Sequence, residues 1–120
     1  MKSILLIEDD PFLIDLYATR LRSAGFEVEV ATSGKEALEK LKEGKPDLLL
    51  LDIVLPTIDG WEVLREIRKE RTLDDMKIFI FSNLDQKGDI ERAQEFQVTK
   101  YLIKSHYTPS EVIEEIKKIL

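Results

Sequence analysis

The sequence has no cysteine and one histidine, His106. Without thiols there is neither a disulfide framework nor thiolate chemistry. A lone imidazole argues against a histidine-rich metal site. Apolar runs are short, and none approaches the about 20 residues that span a bilayer. The opening Met1-Lys2-Ser3 leads into a brief apolar run closed by three acids, which is not a signal-peptide pattern. The expected compartment is the cytoplasm, with no membrane association. Positive charge is in deficit: 18 Lys and Arg stand against 24 Asp and Glu, for a net charge of -6. Direct nucleic-acid binding is therefore not expected. Repeats, low-complexity stretches and linkers are also missing. The 120 residues are expected to form one domain, 1–120, with no second domain.

What is present centres on Asp47-Leu48-Leu49-Leu50-Leu51-Asp52 and its continuation Ile53-Val54-Leu55-Pro56-Thr57-Ile58-Asp59-Gly60. Four leucines without polar alternation, bounded by Gly44-Lys45-Pro46 and the Pro56 loop, predict a central strand buried on both faces. That strand ends in a carboxylate, Asp52. In open parallel sheets the chemistry lies just beyond the carboxyl ends of the strands.

A second such run, Ile4-Leu5-Leu6-Ile7, ends in Glu8-Asp9-Asp10. Asp10 and Pro11 suit the N-cap and first position of a helix whose apolar spacing runs from Phe12 to Ala24, with Gly25 closing it. Glu27 to Ala31 alternates with period two, as an edge strand does. Thr32-Ser33-Gly34 opens a second helix that Gly44 and Pro46 stop. A third helix is expected over Trp61–Glu70, and a fourth strand over Lys77–Phe81, ending at Ser82-Asn83. The fourth helix, Leu84–Phe96, is weakened by Gly88 at a cost of roughly 1 kcal/mol. A fifth strand, Lys100–Ile103, ends at Lys104. Thr108-Pro109-Ser110-Glu111 combines a capping box with proline at the first helical position, and starts the last helix. Five strand–helix alternations imply an α/β fold: a five-stranded parallel sheet with helices on both faces.

Four strand ends thus carry polar groups: Glu8-Asp9-Asp10, Asp52, Ser82 and Lys104. Carboxylates crowded together repel: two unit charges about 4 Å apart interact by ~4 kcal/mol at an effective dielectric near 20. Cations must sit among them. Lys104 supplies one, and a divalent ion is the natural second; an all-oxygen donor set favours Mg²⁺. A carboxylate beside Mg²⁺, a lysine and a hydroxyl suits phosphoryl transfer. Asp52 is then the nucleophile, Lys104 and the ion offset charge on the transferring group, and Ser82 hydrogen-bonds a phosphate oxygen. Singly, Asp10 is a helix cap, Ser82 a turn residue and Lys104 a solvated charge. Together, at four strand ends, they favour a site.

These motifs resemble the receiver domains of bacterial two-component response regulators, of the single-domain, chemotaxis-regulator type. The segments Ile4–Asp10 and Asp52–Gly60 resemble that family's two acidic motifs, and Ser82 and Lys104 its Ser/Thr and lysine. The resemblance implies a flavodoxin-like doubly wound (βα)5 fold with strand order 2-1-3-4-5. It implies Asp52 as phosphoacceptor, Glu8 and Asp9 as the acidic pair around Mg²⁺, and the Val54 backbone carbonyl as a further metal ligand; Asp9 with Asp10 is the alternative pair. It also implies a switch in which Tyr101 changes rotamer as Ser82 moves, altering the surface of the fourth helix, fifth strand and last helix. The implied partners are a sensor histidine kinase or histidine phosphotransfer protein and a downstream protein target. The chain would not be an enzyme beyond catalysing its own phosphorylation and dephosphorylation.

The sequence departs from the family pattern in three places. Ser105 follows Lys104 where proline is usual, so a trans peptide is expected there. Gln97-Val98 replaces Gly-Ala after the fourth helix, which removes the favoured left-handed cap. Asn83 follows Ser82 where a smaller residue is common. Val54 and Leu84, two past the acceptor and two past the serine, are both apolar and cannot orient a water, so a long-lived aspartyl phosphate is expected.

Competing readings fit less well. A haloacid-dehalogenase-type hydrolase needs an acid where Val54 stands. A nucleotide- or flavin-binding domain needs a glycine-rich loop where Glu8-Asp9-Asp10 stands. An interaction module that is never phosphorylated has no use for the intact set of acids, serine and lysine.

Overall fold

The computed structural model describes residues 1–120. The four leucines of β3 (Leu48–Leu51) are all fully buried. Leu48 and Leu50 point into one core layer, Leu49 and Leu51 into the other. Each such side chain stabilises the fold by roughly 1.5–3 kcal/mol relative to exposure. Both faces of β3 are covered, and so the strand shows no polar alternation.

Around it run β1 (Ser3–Ile7), β2 (Glu27–Ala31), β4 (Lys77–Ser82) and β5 (Lys100–Ile103). All pairings are parallel and the order is β2-β1-β3-β4-β5, the expected doubly wound arrangement. The alternating strand β2 lies at the edge, as its sequence predicts. Helices α1 (Pro11–Ser23) and α5 (Pro109–Ile119) cover one face through Tyr17, Ala18, Leu21, Val112, Ile113 and Ile116. Helices α2 (Gly34–Glu43), α3 (Gly60–Lys69) and α4 (Lys87–Glu95) cover the other.

The helix starts follow local chemistry. Asp10 accepts from the Phe12 N–H, Ser33 from Glu36 and Asp59 from Glu62. Thr108 and Glu111 form the reciprocal capping box. Gly25 takes a φ of 97° just beyond α1, where only glycine is at ease. The boundaries of α3 differ from expectation by one residue. Two short 3-10 turns, Arg71–Leu73 and Lys104–His106, have no sequence signal that set them apart. The Lys104–Ser105 peptide is trans, since the chain has no cis bond.

Two corrections concern α4. It begins at Lys87, not Leu84. Leu84 is held outside the helix: its N–H donates to Ser82 Oγ (3.3 Å) and its carbonyl accepts from the Tyr101 hydroxyl (2.6 Å). The Asp89 carboxylate then accepts from the Gln86 N–H and fixes the true start. The left-handed cap after α4 is also retained, by Gln97 itself at φ 59°. Arg68 of α3 makes this tolerable: its Nε donates to the Phe96 carbonyl at 2.7 Å and its Nη2 to the Gln97 carbonyl at 3.4 Å. Carbonyls left over at the helix end are thereby satisfied.

The same end of α4 is packed against α3. Phe96 stacks on Trp61, with ring centroids 6.4 Å apart, and the Arg92 guanidinium lies 4.4 Å over the Trp61 ring. Ala93 is the one buried residue of α4. A left-handed non-glycine residue costs roughly 1–2 kcal/mol. Gln97→Gly is therefore expected to stabilise the fold by about 1 kcal/mol, read as a raised urea midpoint; an unchanged or lower midpoint would contradict strain at Gln97.

Candidate functional site

The sheet register places the first residues beyond β1 and β3 side by side. Ile7 pairs with Leu51, and the Asp52 N–H donates to the Ile7 carbonyl at 3.0 Å. The Glu8 N–H donates likewise to Ala31 of β2 at 3.0 Å. Each carboxylate is thus anchored by one extra rung of ladder before any side-chain contact forms. Both are buried: Glu8 is 2% exposed and Asp52 6%.

Lys104 reaches in from the end of β5. Its Nζ lies 2.7 Å from Glu8 Oε1 and 2.9 Å from Asp52 Oδ2. One ammonium therefore bridges carboxylates from two other strands. Burial raises the pKa of Glu8, and the charge of Asp52 adds to this; the hydrogen bond from Lys104 opposes it. For Lys104, burial acts to lower the pKa, but the hydrogen bonds and charges of Glu8 and Asp52 outweigh it, so the net shift is upward. Each partner favours the charged form of the other, against the burial that disfavours charge on both.

Asp9 is exposed, yet its carboxylate joins this group. Single oxygens of Glu8, Asp9 and Asp52 lie within 4.8 Å of one another. Asp10 is not among them, because its carboxylate caps α1. The donors are all hard oxygens, partly buried, and partly neutralised by a lysine, a set that fits a small divalent cation such as Mg²⁺. The Val54 N–H donates to Asp52 Oδ1 at 3.2 Å, and the Val54 carbonyl accepts none of the hydrogen bonds within the chain. Its side chain, 59% exposed, stands beside the pocket.

Ser82 ends β4 with its side chain fully buried, one residue beyond the strand position level with Asp52. Its Oγ accepts from Leu84, so its own proton remains free to donate. Tyr101 does not reach the carboxylates. Its hydroxyl is fixed on the Leu84 carbonyl, and burial, helped by the charges of Asp89, Asp52 and Asp85, pushes its pKa up to about 12.

Residues 4–117 match the family of response regulator receiver domains. The chain belongs to that family. Receiver domains are signalling domains of two-component systems rather than free-standing enzymes. This receiver is 33% identical over 119 residues to the alkaline phosphatase synthesis transcriptional regulatory protein PhoP of Bacillus subtilis, and spans about half (48%) of that relative's length. It is 32% identical to the polar-differentiation response regulator DivK of Brucella ovis, across 99% of this chain and 96% of that one. Among solved structures, the response regulator protein TrrA of Thermotoga maritima, in complex with Mg²⁺-BeF, is 35% identical over the full length of both chains, with a TM-score of 0.85. The chemotaxis protein CheY4 of Vibrio cholerae shares the fold, with a TM-score of 0.92 at 22% identity over 100% of this chain and 99% of that one.

Two features of the receiver site had no separate sequence signal. Gly60 carries the start of α3 against the end of β3: a Cβ there would meet Ile53 Cα at 2.6 Å and the Asp52 carbonyl at 2.7 Å. No side chain fits without moving the backbone that presents Asp52. Thr57, in the same loop, takes a φ of 65°. Phe81 is the other feature. Its place level with Asp52 follows from register and alternation, but only once the strand pairing is known.

The ion pairing has a pH signature. A carboxyl whose pKa is raised on folding loses stability as pH climbs from its unfolded value of 4.5 through its folded value. Removing Lys104 widens that window upward for Glu8. Metal-free Lys104→Met is therefore expected to be less stable than the parent by about 3 kcal/mol near pH 8, with the deficit shrinking near pH 5, as measured by urea denaturation. A deficit independent of pH would contradict the bridging role.

Proposed function

We propose that Asp52 accepts a phosphoryl group from the phosphohistidine of a sensor kinase or phosphotransfer protein, and that this controls a downstream protein target. The observation that carries the reading is the Lys104 ammonium, held at 2.9 Å from the Asp52 carboxylate and 2.7 Å from Glu8 beside a three-carboxylate cluster. In the transfer, an Asp52 carboxylate oxygen attacks phosphorus and the P–N bond of the donor breaks. The imidazole leaves and takes up a proton. An acyl phosphate remains on Asp52. Lys104 stabilises charge on the phosphoryl oxygens, and Ser82 donates its free hydroxyl proton to one of them. Glu8, Asp9, Asp52 and the Val54 carbonyl would hold Mg²⁺, which when bound supplies charge neutralisation; the relative TrrA was crystallised with Mg²⁺-BeF. Self-catalysed phosphorylation and loss of the phosphate complete the cycle.

The switch follows from Leu84. Ser82 holds its N–H and Tyr101 its carbonyl, so movement of Ser82 toward a phosphoryl oxygen disturbs both ends of one residue. Tyr101 sits on the edge strand β5 and packs against the core layer under α2, α3 and α4, and the surface of α4, β5 and α5 is the proposed output. Two packings that differ by a few kcal/mol suffice. The cytoplasm is the proposed compartment, since the phosphate originates there with ATP; no helix is long and apolar enough to cross a membrane.

Treatment with acetyl phosphate and Mg²⁺ should add one alkali-labile phosphate to the parent, seen by intact mass, and none to Asp52→Asn. Equal labelling of that variant would sink the assignment.

Val54 and Leu84 set a second expectation. Val54 is exposed beside Asp52, while Leu84 is half-buried against the core, and neither can orient a water. Combining Val54→Asn with Leu84→Glu should shorten the lifetime of the aspartyl phosphate by roughly tenfold or more. Decay no faster than in the parent would refute this account of the two positions.

A further inference from the structure

Phe81 lies one register step from the reaction centre, on β4. Leu51 pairs with Ile80, so Phe81 is level with Asp52; Phe81 itself pairs with Leu102, two residues before Lys104. Strand alternation puts Phe81 and Leu102 in the same core layer, with the α1 and α5 side chains. The Lys104 ammonium lies over the Phe81 ring, 5.6 Å from its centroid. The ring cannot rotate freely: Tyr17 of α1 meets it edge-on, 5.0 Å away at 66°, and both rings are 3% exposed. A cation within about 6 Å of a fixed aromatic face is attracted by the ring quadrupole, most strongly where water is excluded.

We infer that Phe81 is a positioning residue for Lys104, holding its ammonium in the pocket through the ring face. This inference rests on the phosphoacceptor reading of Asp52. The Lys104 ammonium meets two carboxylates and one ring face, and both carboxylates also belong to the cation site. Any cation held by Glu8 and Asp52 weakens their attraction for the ammonium. The ring is neutral and offers no ligand atom, so it competes for neither the cation nor the ammonium N–H groups. Lys104 is thereby kept over the sheet with its protons free for phosphoryl oxygens, instead of extending into water.

The test uses Phe81→Leu, with Phe79→Leu as its control. Phe79 is fully buried in the same layer, one strand repeat further from Lys104, and its loss removes similar bulk. In the unphosphorylated parent, the Lys104 ε-CH₂ protons should be ring-current shifted upfield. They should return toward their ordinary position in Phe81→Leu, and stay shifted in Phe79→Leu. With acetyl phosphate and Mg²⁺, the maximal phosphorylation rate of Phe81→Leu should fall by roughly three- to tenfold. Its Mg²⁺ affinity should not weaken, and Phe79→Leu should keep the parental rate. Unshifted ε protons in the parent, a parental rate in Phe81→Leu, or an equal loss in both variants would overturn the inference. Failure of the parent itself to take up phosphate at Asp52 would instead overturn the phosphoacceptor reading, and leave the proton shifts as a separate measurement.

Discussion

Three strand ends of this sheet share one ammonium group. Glu8 from β1 and Asp52 from β3 are almost completely buried, and Lys104 arrives from β5 to contact both within 2.9 Å. Two carboxylates in such a setting repel by several kcal/mol without a cation between them. The lysine makes the pocket compatible with a folded chain. Nearly everything else serves to bring those groups together: the leucines of β3 that fix the centre of the sheet, the extra ladder bonds at Glu8 and Asp52, and the fit of Gly60 under the end of β3. Removal of any of these displaces a charge rather than merely loosening a contact.

The backbone and the side chains divide this work. Backbone pairing fixes where the carboxylates begin, since the Asp52 and Glu8 N–H groups bond to Ile7 and Ala31. Side-chain chemistry decides what they do. Asp9 and Asp10, adjacent in the chain, have different tasks: one joins the carboxylate cluster and the other caps α1. Their difference comes from where the strand ends and the helix starts, not from residue type.

The strands and most helix caps were legible because their signals are local, whereas the strand order followed from the family resemblance. A run of four leucines, an Asp-Pro or Thr-Pro helix start and a period-two edge strand each state their own environment. The residues around the site were legible as types at strand ends. What escaped was set by distant partners. Leu84 is kept out of α4 by Ser82 and Tyr101, and Gln97 takes a left-handed cap because Arg68, in another helix, bonds the carbonyls beside it. Phe81 looks like any core residue of a strand until the register sets it beneath Lys104. Tertiary hydrogen bonds and register are not written in sequence spacing, and here they decided each miss.

Helix α4 is fastened unevenly. At its far end Phe96 stacks on Trp61, Arg92 covers the same ring, and Arg68 bonds two terminal carbonyls. At its near end the fastening is local: the Asp89 carboxylate caps the first turn at Gln86, Gly88 follows Lys87, and beyond them a loop residue is clasped by two side chains. Mechanically this is a cantilever: a beam clamped at one end and resting on a light catch at the other. Displacement at the catch converts to tilt about the Trp61 clamp rather than to sliding of the whole helix. The nine-residue helix is about 13 Å long, so a small shift near Leu84 moves the Lys87 end most and the Glu95 end least.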